Sequence, residues 1–458
     1  MAGSSNPPPE QWSSRIGFVL AAIGAAVGLG SIWKFPYEVG AHGGGTFLIF
    51  YVLGLVLLVL PLMLAEMAIG RAGKGDAAAS IQRIARSAGA APAWIWIGRI
   101  GVLSGFLILS YYSVVGGWTI AYVAMTALDG LPPPEPAAAE AQFDALLASP
   151  LALSAYHAAF MAVTALIVAR GVGSGIEAAV RILMPILVAI LVGLAIYALM
   201  VGDVARTLEF LLRFDPGYAT PGVVLEAFGL GFFSIGVGLG LMITYAAYTD
   251  RSVNLASATV VAIAADTAIS IVSGLAVFPI VFAQGLDPAE GAGLVFVTLP
   301  VAFAAMPFGL LVAIAFFVLL FVAALASAIS LLELVVAWLT RKSGWTRPGS
   351  ALAAASACYV LGLGSAFSFN VWADWRPLGT FGFYETATFF DILDDLTSNV
   401  MLPLGGLAIA VFVGWVIPRN AVIDALEGGE RVRMLLRVVL RWVAPLLMIA
   451  AATAPVFL

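Results

Sequence analysis

Polar and apolar positions along this chain alternate on the scale of whole segments. Uncharged runs such as Ala145 to Ala169, Ala227 to Thr249, Ala351 to Ala373, Leu396 to Pro418 and Trp442 to Leu458 are separated by short clusters of charge. Each run supplies the ~20 apolar residues that an α-helix needs to cross a bilayer. The pattern predicts about eleven helices, over 14–38, 46–70, 94–127, 152–170, 176–200, 222–247, 253–283, 306–341, 350–371, 393–417 and 435–457. A hydrophobic share of 62%, a charged share of 10% and a mean hydropathy of +1.05 agree with this all-α polytopic membrane protein. The usual expectation of about three soluble domains for 458 residues does not apply.

The sign of the loops sets an expected orientation, because Lys and Arg collect on the cytoplasmic side. With the N-terminus inside, Arg71, Lys74, Arg83, Arg86, Arg170, Arg181, Arg251, Arg341, Lys342, Arg347, Arg419, Arg431, Arg433 and Arg437 are cytoplasmic, whereas Lys34, Arg206, Arg213 and Arg376 are outside. The odd helix count then puts the C-terminus outside. The Pro- and Ser-rich start has no basic region before the first helix and reads as a short tail rather than a cleaved signal peptide. The lone Cys358 excludes an intramolecular disulfide and any multi-cysteine metal site, and is read as packing. A net charge of −5 adds little, since positive and negative residues fall largely on opposite faces.

Two of the apolar segments contain the same four residues, Val27-Gly28-Leu29-Gly30 and Val237-Gly238-Leu239-Gly240. In hydrocarbon every backbone group must be bonded internally, so an interruption at mid-membrane has to line a protein cavity. There the freed carbonyls can hold a cation and the helix N-termini an anion such as a carboxylate. Glycines packed in a helix seam are the alternative; two matching breaks, each opening one half of the chain, favour a transporter.

Asp266 is the sole charge between Arg251 and Asp287, near the middle of the seventh helix. A carboxylate there costs ~2.5–3.5 kcal/mol to insert and calls for a cation or, alternatively, a proton and a neighbouring helix. Glu66 and Glu333 lie nearer cytoplasmic helix ends, where structural roles are as reasonable as functional ones. Tyr111-Tyr112, Phe232-Phe233-Ser234 and Ala326-Ser327 sit near the breaks or deep in their helices. His42 and His157 have no second ligand at metal spacing. The absence of a Walker motif, a Gly-x-Ser-x-Gly elbow and a His-Glu-x-x-His helix argues against ATP-driven transport, lipase-type hydrolysis and zincin chemistry, and no enzymatic activity is expected.

Arg15-Ile-Gly-Phe, Gly24-Ala-Ala-Val-Gly-Leu-Gly-Ser-Ile-Trp-Lys-Phe-Pro36 and Gly43-Gly-Gly45 resemble the signature of the neurotransmitter:sodium symporter family. The resemblance continues through Pro61-Leu-Met-Leu-Ala-Glu66, Gly70-Arg71, Tyr111-Tyr112, Phe232-Phe233-Ser and Ile243-Thr-Tyr245. With eleven helices it points to the bacterial branch and the bacterial leucine-transporter fold. It implies two inverted five-helix repeats, 14–200 and 222–417, with helices one and six unwound. Around them lie the tail 1–13, an extracellular loop 201–221, a cytoplasmic loop 418–434 and a last helix within 435–458.

The resemblance also implies two Na⁺ sites. The first would use the carbonyl of Ala26, the side chains of Ser31, Ser234 and Asp266, and the substrate carboxylate. The second would use the carbonyls of Gly24, Val27 and Ala323 with the Ser327 hydroxyl. Hard oxygen ligands suit Na⁺, and a substrate that completes one ion's shell would couple the two. Gly28, where monoamine carriers have Asp, leaves room for an amino-acid carboxylate. The amino-acid backbone would lie against Ala26, Gly30, Tyr112, Phe233 and Ser234, and its side chain against Ile108, Gly236, Leu239, Ser327 and Leu331, an apolar surround that suits a neutral, hydrophobic guest.

Departures from the family pattern refine these expectations. Ser31 and Asp266 stand where many relatives have Asn, so the first ion site gains a fixed negative charge. Ser270 matches a chloride ligand of animal relatives, but Leu230 replaces a Gln, and no chloride requirement is expected. Ala326 lacks a hydroxyl that some relatives give the second site. Lys34 and Asp394 match the outer charged gate above Tyr112 and Phe233, although Lys cannot make the planar bidentate contact of Arg. Arg341 stands where relatives carry an acid, which suggests a reversed inner latch with Glu10 or another acid. The expected protein is a Na⁺-coupled symporter that imports neutral, hydrophobic amino acids across the cell (inner) membrane by alternating access. Its partners are an amino acid and the lipid bilayer, not nucleic acid. The alternatives are a proton-coupled carrier of the same fold and a non-transporting amino-acid sensor.

Overall fold

The computed structural model describes residues 10–289, 293–427 and 429–457. Eight of the described helices are long and apolar enough to cross a membrane, and a bent pair of shorter ones makes a ninth. That pair is span 1, Arg15–Ala26 and Gly30–Ala41, which meet at 52°. Spans 2 to 5 are Gly45–Gly73, Pro92–Leu128, Pro150–Ala169 and Val172–Val201. Span 6 is split into Pro221–Ile235 and Leu241–Ala247. Spans 7 to 10 are Leu255–Ala283, Gly309–Ser343, Arg347–Phe367 and Phe389–Val416. Span 11 runs through Glu430–Val438, Val439–Val443 and Ala444–Phe457, which completes the eleven read from the sequence.

The fold consists of two inverted five-helix repeats with span 11 added. Spans 1 and 6 occupy the centre. The first half of span 1 packs on spans 7 and 8, the second half of span 6 packs on span 2, and span 8 runs along span 3. Side chains on the outer faces are apolar and exposed, as with Ile186, Val192 and Ile196 along span 5. Such a surface is stable only against acyl chains.

Two helical segments fall where loops were expected. Pro136–Leu147 precedes span 4. Leu294–Thr298 continues into Leu299–Ala304 between spans 7 and 8 and buries Leu294, Phe296 and Leu299. Both are too short for a spanning pattern, and tertiary packing rather than length holds them. Phe296 lies within a ring cluster with Tyr122 (centroids 5.0 Å) and Phe317 (6.2 Å).

Candidate substrate and ion site

Both repeated motifs break their helices. The first half of span 1 ends at Ala26, and Val27 leaves the helix with φ −81° and ψ 111°. In span 6, Gly236, Gly238 and Gly240 take φ of 69°, 94° and 74°, a region that glycine enters without a Cβ penalty. The broken backbone needs partners. Glu66, fully buried on span 2, accepts from the Gly238 N–H at 2.7 Å and the Met242 N–H at 3.2 Å. Its carboxylate caps the second half of span 6, where the helix dipole favours negative charge, so the structure gives Glu66 a positioning role.

Span 7 carries Asp266 to this centre with no solvent exposure. Its Oδ1 accepts from the Ser31 hydroxyl at 2.5 Å and the Ser234 hydroxyl at 3.1 Å, while Oδ2 accepts from Tyr51 at 3.1 Å. Ser31 and Ser234 lie 3.0 Å apart and join the two broken spans directly. The structure thus brings together the three side chains expected at the first ion site. Tyr51 was not expected, because a tyrosine in a membrane helix carries no sequence mark that separates packing from chemistry. Among the described residues no Lys, Arg or His pairs with Asp266, so its charge is compensated by hydroxyl dipoles alone. Leu230, buried, offers no donor.

On the other side of span 1, the Ser327 hydroxyl donates to the Val27 carbonyl at 3.2 Å. Gly24 and Ala323 are buried on spans 1 and 8, which pack on each other.

A cavity of about 40 Å³ lies between these clusters. It is lined by Gly28, Gly30, Ile108, Tyr112, Phe233, Ser234, Gly236, Leu239, Ser327 and Leu331, all expected substrate residues. Ala26 is buried beside the break and does not line it. Ala25, Leu29, Leu241 and Leu402 line it as well; Ala25 and Leu29 belong to the motif at the first break, whereas Leu241 and Leu402, as ordinary apolar residues, gave no signal in the sequence. The glycine at 28 is required by space. A Cβ there would stand 2.4 Å from Ser327 Oγ and 3.1 Å from the Tyr112 hydroxyl.

Leu29, Tyr112 and Phe233 also line an outer chamber of about 250 Å³ and form the partition between the two. Lys34 and Asp394 face this chamber, with the Lys34 ammonium 5.0 Å from the Phe233 ring centroid. The Leu29 N–H donates to Tyr112 at 3.3 Å, which ties this lid residue to the break.

An inner cavity of about 980 Å³ includes Glu10, Tyr248, Arg341 and Arg347 in its wall. Trp12 reaches across, its indole N–H donating to the Tyr245 carbonyl at 2.9 Å and its ring 5.2 Å from that of Tyr245. Of the two alternatives for the partner of Arg341, Glu10 is corrected here, and another acid, Asp76, stands beside it. Glu10 lies 3.4 Å from Arg347 and accepts from the Val172 N–H at 3.1 Å. Arg347 also pairs with the buried Glu333, which accepts from Tyr248 at 2.7 Å. Arg341 instead lies 3.6 Å from Asp76. The buried Glu333 draws Arg347 inward, and Glu10 joins that pair.

The comparisons agree with this geometry. The model of the sodium:neurotransmitter symporter family matches residues 9–136 and 147–457. The uncharacterized sodium-dependent transporter YhdH of Bacillus subtilis (strain 168) is 35% identical over 426 residues, which is 93% of this chain and 92% of the relative. An uncharacterized sodium-dependent transporter of Haemophilus influenzae is 29% identical over 425 residues, 91% of this chain and 92% of its own. Among solved structures, the crystal structure of MhsT in complex with L-phenylalanine superposes with a TM-score of 0.86 at 39% identity, covering 97% of this chain and 99% of MhsT. Two broken spans that face each other across a buried carboxylate, found in a chain matched along nearly its whole length, have one reading: the protein belongs to the sodium:neurotransmitter symporter family and is a sodium-dependent membrane transporter.

Proposed function

We propose that the protein imports neutral, hydrophobic amino acids with Na⁺ by alternating access. The observation that carries this reading is the apolar cavity at the junction of the two breaks, whose wall includes Ser234, the residue hydrogen-bonded to both Ser31 and Asp266 behind it. The amino acid's carboxylate would take the position beside Gly28 and Gly30 and ligate a Na⁺ already held by Asp266, so that each ligand improves the site for the other. Its side chain would fill the space among Ile108, Gly236, Leu239 and Leu331. The solved relative that holds L-phenylalanine supports a hydrophobic guest. A second Na⁺ between Val27 and Ser327 would fix span 1 to span 8.

Asp266 accepts three hydrogen bonds from hydroxyl groups and has no cationic side-chain partner among the described residues. That arrangement suits an ionised carboxylate that binds a metal cation, and favours Na⁺ over a proton as the coupling ion. The same hydroxyls would otherwise be free to hold an anion, so transport is expected to be independent of chloride. The loop charge bias supports a cytoplasmic N-terminus and an external C-terminus in the cell membrane.

Uptake into proteoliposomes tests the reading. Accumulation of labelled hydrophobic amino acids under an imposed Na⁺ gradient, unchanged when gluconate replaces chloride, is expected. Accumulation driven by a pH gradient without Na⁺ would point to the proton-coupled carrier. Binding without accumulation would point to the sensor.

A further inference from the structure

A cavity of about 190 Å³ lies between the amphipathic helix Ala77–Ser87 and the ends of spans 3 and 8. Its wall includes Asp76, Gln82, Arg99, Trp338, Arg341 and Lys342. Three cations and one acid meet here, and the acid is already engaged. Asp76 Oδ1 accepts from the N–H groups of Ala78 and Ala79 at 3.1 Å, and Oδ2 lies 3.6 Å from the Arg341 Nε. Burial pushes the Asp76 carboxyl above its usual range, and the Ala79 N–H and Arg341 only partly offset this. Positive charge at this cavity therefore exceeds what Asp76 neutralises.

The surroundings identify the kind of anion that fits. Arg99 stacks over Trp96 at 4.8 Å, and Lys342 lies 5.1 Å from the Trp338 ring centroid. Trp96 is exposed, and so are Ile100 and Leu103 further along the same helix. Positions 96, 100 and 103, and likewise 99 and 103, share one helix face. A basic cavity with Trp338 in its wall thus lies beside an exposed apolar strip that runs along span 3 from Trp96 to Leu103. The strip faces acyl chains whatever fills the cavity, and a soluble anion would make no use of it. A phospholipid would fill both, with acyl chain along Ile100 and Leu103 and phosphate among the cations.

We propose that this cavity binds the phosphate headgroup of an anionic phospholipid of the cytoplasmic leaflet, through Arg99, Arg341 and Lys342. Asp76 and Arg341 also line the large inner cavity, so a phosphate that draws on Arg341 competes with Asp76 at the boundary between the two. The lipid is thereby placed to influence the inner vestibule.

The test is binding of short-chain phosphatidylglycerol to the purified transporter in neutral detergent, with phosphatidylcholine of the same chain length alongside. The double variant Arg99→Gln, Lys342→Gln is compared with Arg431→Gln, which removes an exposed positive charge elsewhere. A retained rise in melting temperature with Na⁺ and substrate reports that each variant is folded. Phosphatidylglycerol is expected to bind the unmodified protein, and about tenfold more weakly the double variant, from the loss of two charge-assisted contacts. Arg431→Gln is expected to bind as the unmodified protein does, and phosphatidylcholine weakly throughout. Unchanged binding to the double variant, or an equal loss in Arg431→Gln, overturns the site. Displacement of the lipid by an equal concentration of inorganic phosphate overturns its assignment to a lipid.

Discussion

Replacing Asp266 with asparagine removes one charge and little else. Side-chain volume barely changes, and the amide oxygen can still accept from Ser31 and Ser234, which lie 2.5 and 3.1 Å from Oδ1. What is lost is the attraction for Na⁺. At about 4 Å and an effective dielectric near 20, a unit charge pair is worth about 4 kcal/mol, and full burial places the site on the strong side of that range. The retained oxygen ligand recovers part of this, leaving a deficit of about 2–3 kcal/mol, or roughly a 30- to 150-fold weaker apparent Na⁺ affinity. Without Na⁺ the sign reverses. A buried charge with no cationic partner destabilises the fold, so neutralising it should raise the melting temperature of the ion-free protein. Thermal unfolding of purified Asp266→Asn across a Na⁺ titration reads both effects. The expected result is a higher starting melting point, a smaller rise with Na⁺ and a midpoint shifted to higher concentration. A folded variant with an unchanged Na⁺ midpoint would refute the assignment of Asp266 as an ion ligand.

Other outcomes follow from the same geometry. Gly28→Ala places a methyl 2.4 Å from Ser327 Oγ, so amino-acid binding should fall at least tenfold while the helical circular dichroism signal is retained; equilibrium binding of labelled substrate measures it. Glu66→Gln weakens the contacts to Gly238 and Met242 and should destabilise the protein by about 1.5–3 kcal/mol, read as a lower melting temperature in saturating Na⁺. Arg347→Gln leaves buried Glu333 without its cation and Glu10 with only its contact to the Val172 N–H; hydrogen exchange of residues 10–15 should rise, and an unchanged rate would count against a role in the inner latch.

The legible part of the fold was the part written in strong contrasts. The spans stand out because lipid-facing helices admit almost no charge, and the breaks stand out because Val-Gly-Leu-Gly recurs at two mid-membrane positions. Asp266 was conspicuous for the same reason, as a single carboxylate in a long apolar stretch. Tyr51 was not, since its hydroxyl becomes chemical only when spans 2 and 7 meet at 3.1 Å. Leu241 and Leu402 enter the cavity by packing register, which hydrophobicity does not encode. The helices Pro136–Leu147 and Leu294–Ala304 were missed because ten to twelve residues held by tertiary contact carry little periodic signal. The sequence leaves open which acid partners Arg341, because ion pairs between distant segments depend on how helix ends meet. Asp76 is brought to it as the N-cap of a helix outside the spans.

The central claim is that ion and substrate share one site and bind each other as well as the protein. Reciprocal titration tests it most directly: the affinity for a hydrophobic amino acid is measured at low and saturating Na⁺, and the affinity for Na⁺ with and without the amino acid. Shared ligation predicts that each raises the other's affinity by the same factor, because the coupling free energy is common to both. Affinities that do not depend on one another would contradict it.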